Sequence, residues 1–118
     1  MPKALPVLDV SAPICCAPMA SVPISDDDAL HLALRLKALA DPVRLKLMSI
    51  LLTGDDAACT CDLAAAVDLS ESTVSHHLGK LRNAGMIASE RRGMNVYHRV
   101  HHDALAALGA VLNPGCCR

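Results

Sequence analysis

Residues 59–85 read CTCDLAAAVDLSESTVSHHLGKLRNAG, and this stretch decides the fold. Its alanine-rich first part favours a short helix, and Asp68-Leu69-Ser70 is a turn in which Ser70 caps a second helix. The second helix ends at Asn83-Ala84-Gly85. Its apolar side chains recur at the spacing of one helical face: Val74, Leu78 and Leu81. Two helices joined by a short turn are typical of the helix-turn-helix motif.

The opposite face of the second helix carries small polar and basic side chains. Such side chains can reach base edges in the major groove, and the basic ones can meet phosphates. We therefore predict that this face contacts double-stranded DNA through five residues: Ser72, Thr73, Ser75, His76 and Lys80.

Two strand-like segments follow, at residues 86–90 and 95–100. They predict a β-hairpin, the wing, whose tip carries Arg91 and Arg92 for contacts with phosphates or the minor groove. Helices are also predicted at about 29–40, 42–52 and 103–112 from their apolar spacing and their caps. The fold class is therefore mainly α: a winged helix-turn-helix with about five helices and a two-stranded β-hairpin wing.

Charge is distributed unevenly along the chain, although the net charge is −1. Residues 1–69 carry five Lys or Arg against nine Asp or Glu, whereas residues 70–102 carry five against two and hold five of the six histidines. Phosphate binding depends on the local charge, so the second half suits DNA. No run of about 18 apolar residues and no secretory leader is present, which predicts a cytoplasmic protein without a membrane partner.

The chain divides into an arm, one domain and a tail. Residues 1–25 contain five prolines and show no helical period, which predicts a flexible arm. Residues 26–112 form the DNA-binding and dimerisation domain, and 113–118 form a tail. Tyr97 is the only Phe, Trp or Tyr, so the core is aliphatic and small. Such a core leaves little stability for a monomer, and the leucines near the ends of the domain predict a homodimer.

Cys59 and Cys61 are the most informative cysteines. Two residues apart in an extended segment, their sulfurs point the same way and can meet one ion. They lie at the start of a helix, where the dipole favours thiolate over thiol. In the reducing cytoplasm these thiols are expected to be ligands or sensors rather than a disulfide. Thiolates select soft ions such as As(III), Sb(III), Cd(II), Pb(II) or Zn(II); the alternative is a pair of small core residues.

Four segments, in order along the chain, resemble the ArsR/SmtB family of metal-responsive repressors: residues 37–45, 59–63, 72–78 and 81–85. Thr60 stands where the family's Cys-Val-Cys-Asp-Leu motif has Val. The resemblance covers about residues 30 to 110. It implies a homodimeric repressor that binds an inverted-repeat operator and is released by its inducer.

The resemblance also implies that Cys15 and Cys16 of the arm complete the metal site with the Cys59 and Cys61 pair. Three sulfurs suit As(III), and four suit Cd(II) or Pb(II). The Ile-Cys-Cys arm resembles that of arsenite repressors, which favours As(III) or Sb(III) as the inducer and arsenic resistance genes as the target. Cys116 and Cys117 lie outside the resemblance, and no role is predicted for them.

Other functions remain as alternatives to arsenite sensing. One is a Cd(II)- or Pb(II)-sensing repressor, and another is a repressor that senses thiol oxidation or persulfides. An enzyme such as an arsenate reductase needs an anion-binding loop before a strand-helix unit, or Cys-x-x-Cys, and the chain has neither. A metal carrier would not need a polar reading helix. The sequence therefore predicts a regulator and not an enzyme, with no organic cofactor.

Overall fold

The computed structural model describes residues 23–113. Five α-helices and three β-strands follow one another along these residues: α1 (Asp26–Leu39), α2 (Pro42–Thr53), β1 (Ala58–Cys59), α3 (Thr60–Val67), α4 (Glu71–Asn83), β2 (Ile87–Arg92), β3 (Asn95–Val100) and α5 (His102–Leu112). The described residues form two compact units, one of residues 35–101 and one of residues 23–34 and 102–113. The predicted arm and tail, with Cys15, Cys16, Cys116 and Cys117, lie almost wholly outside the described residues.

The helix-turn-helix consists of α3 and α4, as predicted. Asp68 ends α3 in the left-handed conformation with a φ of 59°. Ser70 caps α4, and its hydroxyl accepts the backbone N–H of Thr73 at 3.2 Å. The three apolar side chains predicted for the inner face of α4 are all buried: Val74, Leu78 and Leu81. Both ends of the turn are therefore fixed by the local sequence.

The sheet has three antiparallel strands in the order β1-β3-β2, where the sequence predicted two. The additional strand is only two residues long and pairs Ala58 with His98 and Cys59 with Tyr97. A two-residue strand has no alternation of polar and apolar residues to reveal it. Consequently the cysteine pair is joined directly to the central strand of the wing.

The wing turn is shorter than predicted. Arg91 and Arg92 belong to β2, where they pair with Val96 and Asn95, and were wrongly assigned to the connecting loop. Only two residues, Gly93 and Met94, join the strands. Gly93 has a φ of 64°, which suits the first central position of a two-residue hairpin turn.

Helix α2 begins at a strong local signal. Asp41 caps it by accepting the backbone N–H groups of Val43 and Arg44, at 2.8 and 3.2 Å, and Pro42 occupies the first turn. The helix buries an apolar face: Leu47, Met48 and Leu51. Loss of such a cap costs about 1 kcal/mol, so this helix start is well defined.

The second unit, described at residues 23–34 and 102–113, contains α5 and the first part of α1. Helix α5 buries residues spaced as one helical face: Ala104, Ala107, Leu108 and Val111. In α1, Leu32 is buried, whereas Leu30 and Leu34 are 54% and 55% exposed. Across residues 23–113, the helices are too short or too polar to cross a membrane.

Candidate nucleic-acid interface and thiol site

Helix α4 presents the predicted DNA-reading side chains on one exposed face. All five are exposed to solvent: Ser72, Thr73, Ser75, His76 and Lys80. Two of them take part in the hydroxyl network of the cap, in which Ser70 Oγ donates to Thr73 Oγ1 at 2.9 Å and lies 3.3 Å from Ser72 Oγ. Ser72 and Thr73 are therefore held at the first turn of α4, where base edges are usually read.

Arg44 fixes α4 against α2, a role that the sequence did not reveal. It was predicted to point outward, but it is half-buried. Its Nε donates to His77 Nδ1 at 3.2 Å, and its terminal nitrogen donates to the carbonyl of Ala38 at 3.3 Å. The Arg44–His77 pair is separated by 33 residues, so nothing local predicted it. The contact stabilises the orientation of the reading face.

The wing carries exposed cations beside an exposed apolar tip. Arg92 donates to Glu90 at 3.1 Å and stacks over the ring of Tyr97, with its guanidinium carbon 4.8 Å from the ring centroid. Arg91 is also exposed, and Met94 at the turn is 93% exposed. The two arginines are thus available to phosphates, although Arg92 is partly neutralised by Glu90.

The two cysteines of residues 59–61 are joined by a disulfide in the structure. This differs from the expected free thiols. Neither do both residues lie in an extended segment, since Cys59 ends β1 and caps α3 while Cys61 lies in the first turn of α3. Cys59 Sγ accepts the backbone N–H of Asp62 at 3.3 Å. Two electrons must be supplied to convert this disulfide into two thiolates before the sulfurs can bind an ion as thiolates.

Once reduced, this segment offers three ligand atoms for a soft or borderline ion. The sulfurs of Cys59 and Cys61 and a carboxylate oxygen of Asp62 all lie within 4.8 Å of one another. Sequence reasoning missed Asp62, although it directly follows the pair. The donor set fits a thiophilic ion that accepts one oxygen or takes a further sulfur from elsewhere. The two predicted arm ligands, Cys15 and Cys16, are outside the described residues.

A surface cleft of about 310 Å³ connects the cysteine pair with the reading surface. Its walls come from the start of α3, the start of α4 and the wing turn. Cys61 contributes from α3, and five of the other lining residues belong to the reading face and the wing: Ser72, Ser75, Met94, Asn95 and Val96. Cys59 is buried at 4% exposure, so Cys61 is the more accessible of the two sulfurs.

His98 is a buried polar residue beside the cysteine pair. It is 3% exposed, and its Nε2 lies 2.8 Å from Thr60 Oγ1 while its Nδ1 lies 2.7 Å from Ser89 Oγ. Burial, together with the charge of Arg82, lowers the pKa of His98. The ring is therefore neutral near pH 7, with one nitrogen donating and the other accepting.

We expect this burial to make the fold acid-sensitive. Because the pKa of His98 is lower in the folded chain than its ordinary value of about 6.5, the unfolded chain binds more protons just below that pH. The contribution of the neutral His98 ring to the free energy of unfolding should be fully present above about pH 6.5 and be lost as the pH falls below that value. Urea unfolding at several pH values measures this. His98→Gln should make the free energy of unfolding depend less on pH in this range. The matched change at the exposed His76, His76→Gln, should leave that pH dependence unchanged. Equal pH profiles for the two variants would show that His98 is not the source of the acid sensitivity.

Comparison with known proteins identifies the family to which this chain belongs. Residues 41–89 match the family described as bacterial regulatory protein, arsR family. A transcriptional repressor SmtB homologue from Synechocystis is 48% identical over 75 residues, which cover 64% of this chain and 55% of the relative. A putative arsenical resistance operon repressor, ArsR2, from Halobacterium salinarum is 37% identical over 93 residues, or 78% of this chain and 75% of the relative.

A solved structure gives the same result. The crystal structure of a possible transcriptional regulator for arsenical resistance is 32% identical, with a TM-score of 0.60 over 65% of this chain and 78% of that one. The chain spans little more than half the length of the Synechocystis relative. The family match covers α2 and both helices of the helix-turn-helix, α3 and α4. This chain belongs to the ArsR/SmtB family of bacterial winged-helix regulators.

Proposed function

We propose that this chain is a cytoplasmic transcriptional repressor that binds operator DNA as a homodimer and leaves it when its thiolates capture As(III) or Sb(III). The observation that carries the proposal is the cleft in which Cys61 lies beside Ser72 and Ser75 of the reading helix. An ion at Cys61 would sit against the surface that meets DNA, so its binding and DNA binding affect each other.

The proposed ligands are Cys59 and Cys61 with one or both of Cys15 and Cys16. Three thiols displace the three hydroxyls of arsenous acid as water and leave three As–S bonds. Relatives of this chain carry names that specify arsenic resistance, cadmium resistance and antimony. The family therefore supports a thiophilic inducer, and the Ile-Cys-Cys arm supports As(III) or Sb(III) over Cd(II) and Pb(II).

The proposed dimer rests on two observations. A homologous winged helix-turn-helix domain from Mycobacterium bovis is described as homodimeric. In this chain Leu30 and Leu34 lie one helical turn apart on α1 and are both more than half exposed. An apolar pair of this kind is buried favourably against a second copy.

A thiol-oxidation sensor is the second candidate function, because Cys59 and Cys61 form a disulfide in the structure. In that case a peroxide would take two electrons and two protons from the thiols and be reduced to water, and a small thiol would reverse the step. DNA binding would then differ between the oxidised and reduced protein without any ion.

Fluorescence anisotropy of the protein on DNA from upstream of its own gene tests both candidates. As(III), Sb(III), Cd(II) and Pb(II) are added separately to the reduced protein, and peroxide is added without reductant. Release by about stoichiometric As(III) or Sb(III) is expected. Release by Cd(II) or Pb(II) alone would mean that one of these ions, and not As(III) or Sb(III), is the inducer. Release by peroxide alone would favour oxidation sensing. Failure to bind the DNA under every condition would overturn the proposal.

The wing makes a separate prediction about DNA affinity. Each phosphate contact that is lost reduces the slope of log affinity against log salt by about 0.9. Arg91→Gln should therefore reduce the slope by about 1.8 in a dimer. Arg99→Gln changes an exposed arginine of β3 outside the predicted contacts and should leave the slope as it is. Equal slopes for the Arg91 variant and the unchanged protein would remove Arg91 from the interface.

A further inference from the structure

His98 lies where the cysteine segment, the central strand and the outer wing strand meet. It belongs to β3, and its neighbours across the sheet are Ala58 of β1 and Ser89 of β2. Its ring reaches Thr60 Oγ1 on one side and Ser89 Oγ on the other, at 2.8 and 2.7 Å. One side chain therefore connects α3 with both strands of the wing.

We propose that His98 is a positioning residue that transmits a change at the Cys59–Cys61 pair to the wing. The inference rests on the proposed function, since it concerns how inducer capture weakens DNA binding. His98 itself touches neither the inducer nor DNA in this scheme. It acts through the two hydroxyls to which it is hydrogen-bonded.

Thr60 is the input side of this connection. It lies between the two cysteines and is the first residue of α3. When both sulfurs bind one ion, the backbone torsions of this three-residue segment are set by the ion, and the Thr60 hydroxyl moves with them. The bond from Thr60 to His98 then lengthens, shortens or turns.

Burial makes the connection obligatory. At 3% exposure the His98 ring has almost no access to water, so a nitrogen that loses its hydroxyl partner is left unsatisfied. An unsatisfied buried polar group is costly, and the ring therefore follows Thr60 instead of exchanging it for solvent. Movement of the ring is passed on to Ser89 by the bond to Nδ1.

Ser89 is the output side. It lies two residues before Arg91 on β2, the strand that carries both exposed wing arginines. A shift of β2 at Ser89 changes where these arginines meet the phosphates. The route from sulfur to wing thus runs through two hydrogen bonds and one ring.

Thr60→Val tests the input side. Valine has the shape of threonine without the hydroxyl and is the residue of the family's motif at this position, so the fold should be retained, with some loss of stability because His98 Nε2 loses its partner. The measured quantity is the ratio of the operator dissociation constants with and without bound As(III). In the unchanged protein this ratio should be on the order of 100, and Thr60→Val should reduce it about tenfold.

Two further affinities separate transmission from a merely structural role. The As(III) affinity of the DNA-free protein and the operator affinity of the ion-free protein should each stay within about twofold of the unchanged protein. Thr53→Val is the matched control, because Thr53 is exposed and its hydroxyl bonds only to backbone carbonyls of its own helix. It should leave all three quantities unchanged.

Ser89→Ala tests the output side, with Ser49→Ala at an exposed position of α2 as its control. If both hydroxyls act through the same ring, the double variant Thr60→Val/Ser89→Ala should lose no more of the ratio than either single variant. If the two hydroxyls acted independently, the fold-losses in the ratio for the two single variants would multiply in the double variant.

The outcomes are distinct. Three results would each overturn the role of His98 while leaving the proposed function intact. Thr60→Val could keep the full ratio of operator dissociation constants, or the losses of the two single variants could multiply in the double variant. Thr60→Val could also lose as much operator affinity in the ion-free protein as it loses in the ratio. If the unchanged protein is not released by any inducer, the proposed function fails and this inference fails with it.

Discussion

A chain carrying Cys61→Ser is expected to bind its operator as tightly as the unchanged protein and to remain bound when arsenite is added. Serine keeps the size of the side chain but cannot supply a thiolate, so the ion loses its more accessible sulfur. Coupling of about 3 kcal/mol, on the order of 100-fold in operator affinity, should disappear. Anisotropy titration of the DNA complex under reducing conditions measures it.

The control for this substitution is another cysteine of the same chain. Cys116→Ser removes a thiol outside the family resemblance and should leave arsenite release unchanged. Because Cys61→Ser also removes one partner of the disulfide, any release by peroxide should be lost as well. The variant therefore tests whether Cys61 is required for release, and the comparison of arsenite with peroxide tests whether release needs ion binding or thiol oxidation. Normal release of Cys61→Ser by arsenite would show that the thiol site lies elsewhere.

Leu81→Ala should destabilise the fold by about 2 to 5 kcal/mol, because it leaves a cavity behind the reading helix. Leu81 is fully buried, with 0% of its surface exposed. A domain of this size has only about 5 to 15 kcal/mol in total, so the loss is a large fraction. Urea unfolding followed by far-ultraviolet circular dichroism measures the free energy of unfolding.

Leu45→Ala is the matched control, since it removes the same atoms from a leucine that is 54% exposed on α2. Its cost should stay below about 1 kcal/mol. Similar losses for the two variants would mean that α4 is not anchored by Leu81. Operator affinity should follow the same order, because the reading side chains depend on that anchor.

The local parts of this structure were predictable from the sequence because their signals are local. Ser70 caps α4, Pro42 begins α2, and the spacing of Val74, Leu78 and Leu81 identified the buried face, all as the structure has them. Family motifs along the same stretch led to the correct family. The candidate ligands among the cysteines were chosen from spacing and resemblance and remain predictions.

The missed features join residues that are distant in sequence. The bond from Arg44 to His77 spans 33 positions, and the one from Thr60 to His98 spans 38. Strand β1 becomes visible only by its pairing with β3. The sequence does not distinguish His98 from an exposed strand histidine, because its burial between two hydroxyls depends on α3, β2 and β3 coming together. Such contacts need the fold before they can be identified.

The stacking of Arg92 on Tyr97 has a practical consequence. The chain has no tryptophan and no phenylalanine, so its ultraviolet emission comes from one phenol ring, that of Tyr97 in the middle of β3. That ring lies opposite Cys59 in the sheet register. The unlabelled protein therefore contains its own optical reporter, which lies opposite Cys59 in the sheet and stacks with Arg92, a predicted DNA contact.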